Sequence, residues 1–211
     1  VESAKLALSG GCRWVQLRMK NASPTEVEEV AWKVKKLCND YNAVFIIDDY
    51  VNVAKIVNAD GVHLGKNDMP IKEARRYLGD SFIIGGTANS FEDIKHLYHD
   101  GVNYIGCGPF RFTTTKKNLS PILGEDGLRK IILDMIKENI DVPLVAIGGI
   151  ERSDISSLFA LGVNGIALSG SVLNANNPSH EIALILKEIN RFKNLSSHSS
   201  EHAVERGYIE T

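Results

Sequence analysis

The sequence predicts an α/β protein with a parallel sheet, specifically a (β/α)8 TIM barrel whose first strand lies upstream of Val1 or is disordered. Three observations point there. Short apolar runs alternate with amphipathic helical stretches along the whole chain. Four of these runs resemble one another: CRWVQLR from residue 12, ADGVHLG from 59, VNYIGCG from 102 and VNGIALSG from 163, with AVFIIDD, SFIIGGT and VPLVAIGG between them. They begin 47, 43 and 61 residues apart, so each interval holds two strand–helix units and the longest carries an insertion. Charged, hydroxylic and glycine-rich residues follow the strands, at the face where such barrels keep their sites. Seven strands are visible where a barrel needs eight, and the chain opens inside a helix, hence the upstream or disordered first strand. An open doubly wound sheet would tolerate seven strands, but no GxGxxG follows a first strand here.

Residues 2–10 read as the end of a helix closed by Gly10-Gly11. RWVQLRMK is a strand leaving the core, and period two sets Gln16, Arg18 and Lys20 on one side. An amide, a guanidinium and an ammonium placed together suit a diphosphate, or else the polar face of an edge strand. Residues 24–39 form an amphipathic helix behind Ser23-Pro24, apolar at Val27, Val30, Ala31, Val34 and Leu37. AVFIIDD is a buried strand ending in Asp48 and Asp49, a short helix covers 50–57, and ADGVHLGKND is strand, glycine turn and Asp68. Carboxylates ending successive strands suit either a shared divalent cation, Mg²⁺ by its oxygen ligands, or N-capping of the next helices. His63 reads as a satisfied interior histidine.

Helices follow at 70–78, 90–100 (capped by Ser90 with Asp93), 125–139, 153–161 (opened by Ser153) and about 178–191. Strands SFIIGGT, VNYIGC, VPLVAI and VNGIAL fall between them and end at Thr87, Gly108, Gly148-Gly149 and Ser169-Gly170. The loop after Gly108-Pro109 holds Thr113, Thr114, Thr115, Lys116 and Lys117, which suit an anionic ligand or simply a solvated loop. The domain organisation is one barrel over 1–191 and a polar tail over 192–211.

Composition narrows the function classes. The chain has 211 residues, 44% of them hydrophobic, and a formal net charge of −2. That balance gives no global field toward nucleic acid or an anionic membrane, so anion binding must come from local cations. No apolar stretch approaches the roughly 20 residues needed to span a bilayer. Cys12, Cys38 and Cys107 show neither CxxC nor metal spacing and read as buried small hydrophobes of a reducing, cytoplasmic protein. On the barrel reading the strand ends offer one phosphate station at Gly148-Gly149 and Ser169-Gly170. A second, with the cation, lies at Gln16, Arg18, Lys20, Asp49 and Asp68.

QLRMK, FIIDD, GVHLGKNDM, GPFRFTTTK, VAIGGI and GIALSG, in this order and spacing, resemble the thiamine phosphate synthase family from about residue 4 to 178. The resemblance implies a Mg²⁺-dependent transferase that joins hydroxymethylpyrimidine diphosphate to a thiazole phosphate and releases pyrophosphate. It implies that Gln16, Arg18 and Lys20 hold the pyrimidine diphosphate, with Leu17 and Met19 in the same substrate-binding segment. Asp49 and Asp68 would be Mg²⁺ ligands, and Asp48 would lie against the pyrimidine. Thr87 and Lys116 would contact the diphosphate, Thr113 and Thr115 the thiazole side, with Thr114 in the same substrate-binding segment, and Gly149, Ser169 and Gly170 the thiazole phosphate. Arg18, Lys20 and Lys116 would carry the catalytic charge. The implied partners are these small molecules, without nucleic acid or membrane, and a homo-oligomer is left open.

The sequence departs from the family's pattern at Asp48 (usually Asn), Met19 (usually Glu), Thr87 (usually Ser) and Arg111-Phe112 (usually Phe-Pro). A sister group, the thiazole tautomerases, uses a histidine where this chain has Asn89, which cannot carry protons near neutral pH. A silent precursor-binding protein would not need Asp49, Asp68 and Lys116, and a sugar-phosphate isomerase would leave the Thr/Lys loop without a role.

Overall fold

The computed structural model describes residues 1–112 and 121–198. Their strands are β1 Trp14–Leu17, β2 Val44–Asp48, β3 Gly61–Leu64, β4 Ile83–Ala88, β5 Tyr104–Cys107, β6 Leu144–Ile147 and β7 Gly165–Ala167. They form one sheet, parallel throughout and in sequence order. Their helices are α1 Glu2–Ser9, α2 Pro24–Asp40, α3 Val51–Ile56, α4 Ile71–Leu78, α5 Phe91–Asp100, α6 Gly124–Lys137, α7 Ile155–Leu161, α8 Gly170–Leu173 and α9 Pro178–His198. A crossover helix at every step is what parallel pairing of consecutive strands requires.

Local chemistry sets the boundaries. Ser23 Oγ accepts from Glu26 N, Glu26 Oε2 accepts from Ser23 N at 2.7 Å, and Pro24 takes the first turn of α2, where its missing N–H costs nothing. At α5 the Ser90 side chain caps as expected, but Asp93 reaches back to the N–H of Asn89 instead of Ser90. Ser153 does not open α7. A 3-10 turn over Arg152–Asp154 precedes that helix, closed by Asp154 Oδ2 accepting from Glu151 N at 2.8 Å. The short α8 has no sequence periodicity to announce it, and α9 runs on past residue 191, where the tail was expected to begin.

Period two divides the sheet. Val15, Phe45, Ile47, Val62, Leu64 and Ile84 pack outward against α2 to α4, and Ala88, Ile105, Cys107, Leu144, Ala146 and Ile166 against the later helices. Burial pushes the Cys38 and Cys107 thiols up to about 12, so both serve as small hydrophobes, as expected. The alternate residues face the other way. Trp14 of β1 meets Tyr104 of β5 edge to face at 5.5 Å, although three strands separate them in the sheet. Only a rolled sheet brings those rings together. The end helices meet as well, with Ser179 Oγ of α9 donating to Leu6 O of α1 at 2.8 Å. The fold is therefore a rolled, seven-stranded parallel α/β sheet, with pairing running from β1 to β7.

Candidate active site

The C-terminal strand ends gather around Asp48. This last residue of β2 is only 5% exposed, so its carboxylate needs partners. Gln16 Nε2 donates to Oδ1, and Arg18 Nε lies 3.3 Å from Oδ2. The expected convergence of Gln16 and Arg18 is present, and the acid that departs from the family's pattern is what they converge on. β1 ends at Leu17, so strand alternation places Gln16 but not Arg18 or Lys20; Lys20 lies exposed beyond the strand. Leu17 and Met19 are half-buried and pack on the core of the β1–β4 half.

Asp49 follows with φ 68°, in the left-handed region, and its N–H donates to His63 O at 3.1 Å. Asp68 Oδ2 accepts from Gly65 N at 2.6 Å, folding the turn after β3 onto itself. Tyr50 and Pro70 hold the N-cap positions of α3 and α4, both without a side-chain cap bond, and Asp68 turns back on Gly65 instead of capping α4. Among the described residues no group of three or more His, Cys, Asp or Glu side chains is placed to hold a metal ion. Two carboxylates at adjacent strand ends fit the sparse protein share that Mg²⁺ takes when phosphate oxygens and water complete its shell.

Thr87, near the end of β4, is buried and bonded through Oγ1 to His63 Nε2 at 2.9 Å. His63 Nδ1 meets Tyr104 Oη at 3.0 Å. Burial, with a smaller push from the Asp48 charge, raises the Tyr104 phenol well above its ordinary range. Asn89 Nδ2 donates to Gly108 O and so anchors the segment leaving β5. Beside it Lys66 Nζ lies 2.7 Å from Asp93 Oδ2. Burial raises the Asp93 pKa, but bonds from Lys66, Asn89 and Ser90 outweigh it and leave the group below the usual carboxylate range.

The opposite side is built from backbone. Gly148 and Gly149 have φ of 88° and 70°, which side chains resist. A Cβ on Gly148 would sit 2.8 Å from Pro109 Cα, and one on Gly149 2.9 Å from Phe112 O. The glycines therefore admit the segment after β5. Arg111, noted in the sequence only as a departure, locks this contact. Its guanidinium donates to Gly149 O at 2.7 Å and grips both Asp154 oxygens at 2.8 and 2.9 Å. Leu123 N and Gly124 N donate back to Pro109 O and Phe110 O, tying together the two sides of the intervening segment. Thr113, Thr114, Thr115 and Lys116 lie outside the described residues. Ser169 and Gly170 stand where β7 passes into α8.

Sequence reasoning missed Arg111, Asp154, Asn89 and Tyr104 as parts of this site. Arg111 and Asp154 are far apart in the chain, and no local motif links them. Tyr104 gave a weak signal, an aromatic hydroxyl on the inward register of a buried strand.

A rolled parallel sheet with acids, hydroxyls and glycine turns at its C-terminal strand ends has the layout of an α/β enzyme that acts on small molecules. Comparison gives the family. The model of the thiamine monophosphate synthase family matches residues 1–172. The thiamine-phosphate synthase of Phocaeicola vulgatus is 58% identical over 185 residues, 88% of this chain and 89% of that protein. The thiamine-phosphate synthase of Flavobacterium psychrophilum is 46% identical over 183 residues, 87% of this chain and 89% of the other. Among solved structures, thiamine phosphate pyrophosphorylase from Pyrococcus furiosus superposes with a TM-score of 0.80 at 34% identity, covering 90% of this chain and 89% of that one. The chain belongs to the thiamine monophosphate synthase family. No described helix is long and apolar enough to cross a membrane.

Proposed function

We propose that this transferase couples 4-amino-2-methyl-5-hydroxymethylpyrimidine diphosphate to a thiazole phosphate, giving thiamine phosphate and pyrophosphate. The observation that carries the reading is the meeting of Gln16, Arg18 and buried Asp48 beside Asp49 and Asp68, within a chain of this family. In the reaction the bond between the pyrimidine methylene carbon and the diphosphate oxygen breaks, and pyrophosphate leaves with the electron pair. The methylene cation is stabilised by the electron-rich ring, and the thiazole nitrogen lone pair then forms the new C–N bond. No enzyme nucleophile is required, so catalysis is positioning and charge stabilisation.

Asp48 holds Gln16 and Arg18 in one orientation and offers a buried acceptor edge to the pyrimidine. Arg18 and Lys20, with Lys116 from the loop, would face the charge that builds on the leaving diphosphate, and Thr87 would donate to one of its oxygens. Asp49 and Asp68 would hold Mg²⁺, which when bound neutralises diphosphate charge. Gly149, Ser169 and Gly170 would receive the thiazole phosphate on backbone N–H groups, with Thr113, Thr114 and Thr115 on the thiazole side. Asn89 donates its amide hydrogen to Gly108 O, an anchoring role without proton transfer, which speaks against the tautomerase reading. An eighth strand between β7 and β1 would complete the barrel; the contact of α1 with α9 supports this.

Pyrophosphate release should require both substrates and Mg²⁺ together. Release undiminished when the thiazole phosphate is omitted, or none from the folded full-length protein, would overturn the proposal.

A further inference from the structure

His63 is wedged edge-on between two strands that leave room for it. In the β-ladder His63 pairs with Gly85 and Thr87 with Gly106. A Cβ on Gly85 would lie 2.6 Å from His63 Nδ1 and 2.2 Å from the Tyr104 ring, and one on Gly106 would lie 3.0 Å from His63 Cε1. The imidazole plane is thus fixed, and its two nitrogens point at fixed partners, Tyr104 Oη at 3.0 Å and Thr87 Oγ1 at 2.9 Å. His63, Thr87 and Tyr104 are all buried.

Each direction leaves one hydroxyl hydrogen without a bond among these three residues, that of Tyr104 or that of Thr87, and their places in the fold decide between the two. Among the described residues, the hydrogen-bond partner of the Tyr104 hydroxyl is His63 Nδ1 and no other. If the phenol accepted from Nδ1–H, its own hydrogen would be buried without an acceptor and would forfeit its hydration. If it donates, the unused hydrogen is that of Thr87, which is 7% exposed at the C-terminal end of β4 against 3% for Tyr104, so water or a ligand reaches it more readily. Tyr104 therefore donates, Nδ1 is unprotonated, and the neutral ring carries its hydrogen on Nε2. Nε2–H then donates to Thr87 Oγ1. The Thr87 hydrogen is left over, at the C-terminal end of β4.

We propose that Tyr104 and His63 are positioning residues that make Thr87 a one-way hydrogen donor to an anionic ligand, the diphosphate. This rests on the proposed reading of the site. It accounts for an interior tyrosine, a histidine and two strand glycines that the chemistry itself does not use.

The direction is read by NMR of the full chain labelled with ¹⁵N-histidine, the His63 signals being those lost in His63→Gln. The expected pattern is an unprotonated Nδ1 and a protonated Nε2, with inorganic pyrophosphate and Mg²⁺ shifting Nε2 more than Nδ1. A protonated Nδ1, or an Nε2 signal indifferent to pyrophosphate, would overturn the proposal. In turnover, Tyr104→Phe should lower kcat/KM for the pyrimidine diphosphate about three- to tenfold, the effect of one neutral hydrogen bond, with KM for the thiazole phosphate unchanged. Thr87→Val should cost more, and adding Tyr104→Phe to it should cost nothing further. Additive losses would mean that Tyr104 acts elsewhere and would also overturn the proposal. A wild-type protein without turnover would sink the functional reading alone, because the nitrogen signals still report the hydrogen direction.

Discussion

The two halves of the sheet build their share of the site by different means. On the β1–β4 half, side chains do it: Gln16, Asp48 and Thr87 on strands, and Arg18, Asp49 and Asp68 in the segments that follow them, over one hydrophobic cluster. On the β5–β7 half, backbone does it. Gly148 and Gly149 let the segment after β5 lie against the turn after β6, and Arg111 fastens the two over a second cluster. A side-chain site depends on charge and tolerates small backbone shifts. A backbone site depends on close approach and fails when an atom is added. On the proposed function, the difference suits two ligands, a diphosphate whose charge changes during reaction and a phosphate that only has to be held.

Three substitutions sharpen or break that contrast. The largest effect is expected from Asp49→Asn on the first half, a loss of turnover of at least about a hundredfold, as for removal of a charge-stabilising group. Thiazole phosphate binding, followed by calorimetry, should stay largely intact. Surviving turnover would break the metal assignment. Next is Gly149→Ala, whose Cβ meets Arg111 and Phe112 at about 2.9 Å in a left-handed backbone. It should cost about 1–3 kcal/mol of stability in denaturant unfolding and weaken thiazole phosphate selectively.

The smallest is Asp154→Asn, which loosens the partly exposed clamp on Arg111 by about 0.5–1 kcal/mol. Burial raises the Asp154 pKa, but bonds from Arg111 and Glu151 outweigh that and hold the group below its ordinary value. A depressed carboxylate stabilises above its unfolded pKa and loses that contribution as pH falls through the folded one. The Tm gap between wild type and Asp154→Asn should therefore be full at neutral pH and close in acid, below the usual carboxylate range. A gap independent of pH would show that the clamp is not ionic.

The same contrast explains what could be read from the chain alone. The alternation of apolar runs and helices gave the parallel order, and polar residues after strands marked the site face, because period and burial are local properties. Gln16, Arg18, Asp49, Asp68 and Thr87 were visible as chemistry out of place at the end of an apolar run. Gly148 and Gly149 were visible too, but their neighbour was not. That a glycine admits another loop is settled by a residue 38 positions away, Arg111, whose bond to Gly149 has no local signature. The fork on Asp48 was missed for a similar reason, since the acid and its two partners come from different strands. The hydrogen direction through His63 depended on three strands at once.

The division between halves is tested most directly by calorimetric titration of each substrate alone into wild type, Arg18→Met and Gly149→Ala. Arg18→Met should weaken the pyrimidine diphosphate by about tenfold or more and leave the thiazole phosphate within about twofold, as loss of one charge-assisted contact requires. Gly149→Ala should do the reverse. Both ligands weakened alike by either substitution would contradict the account.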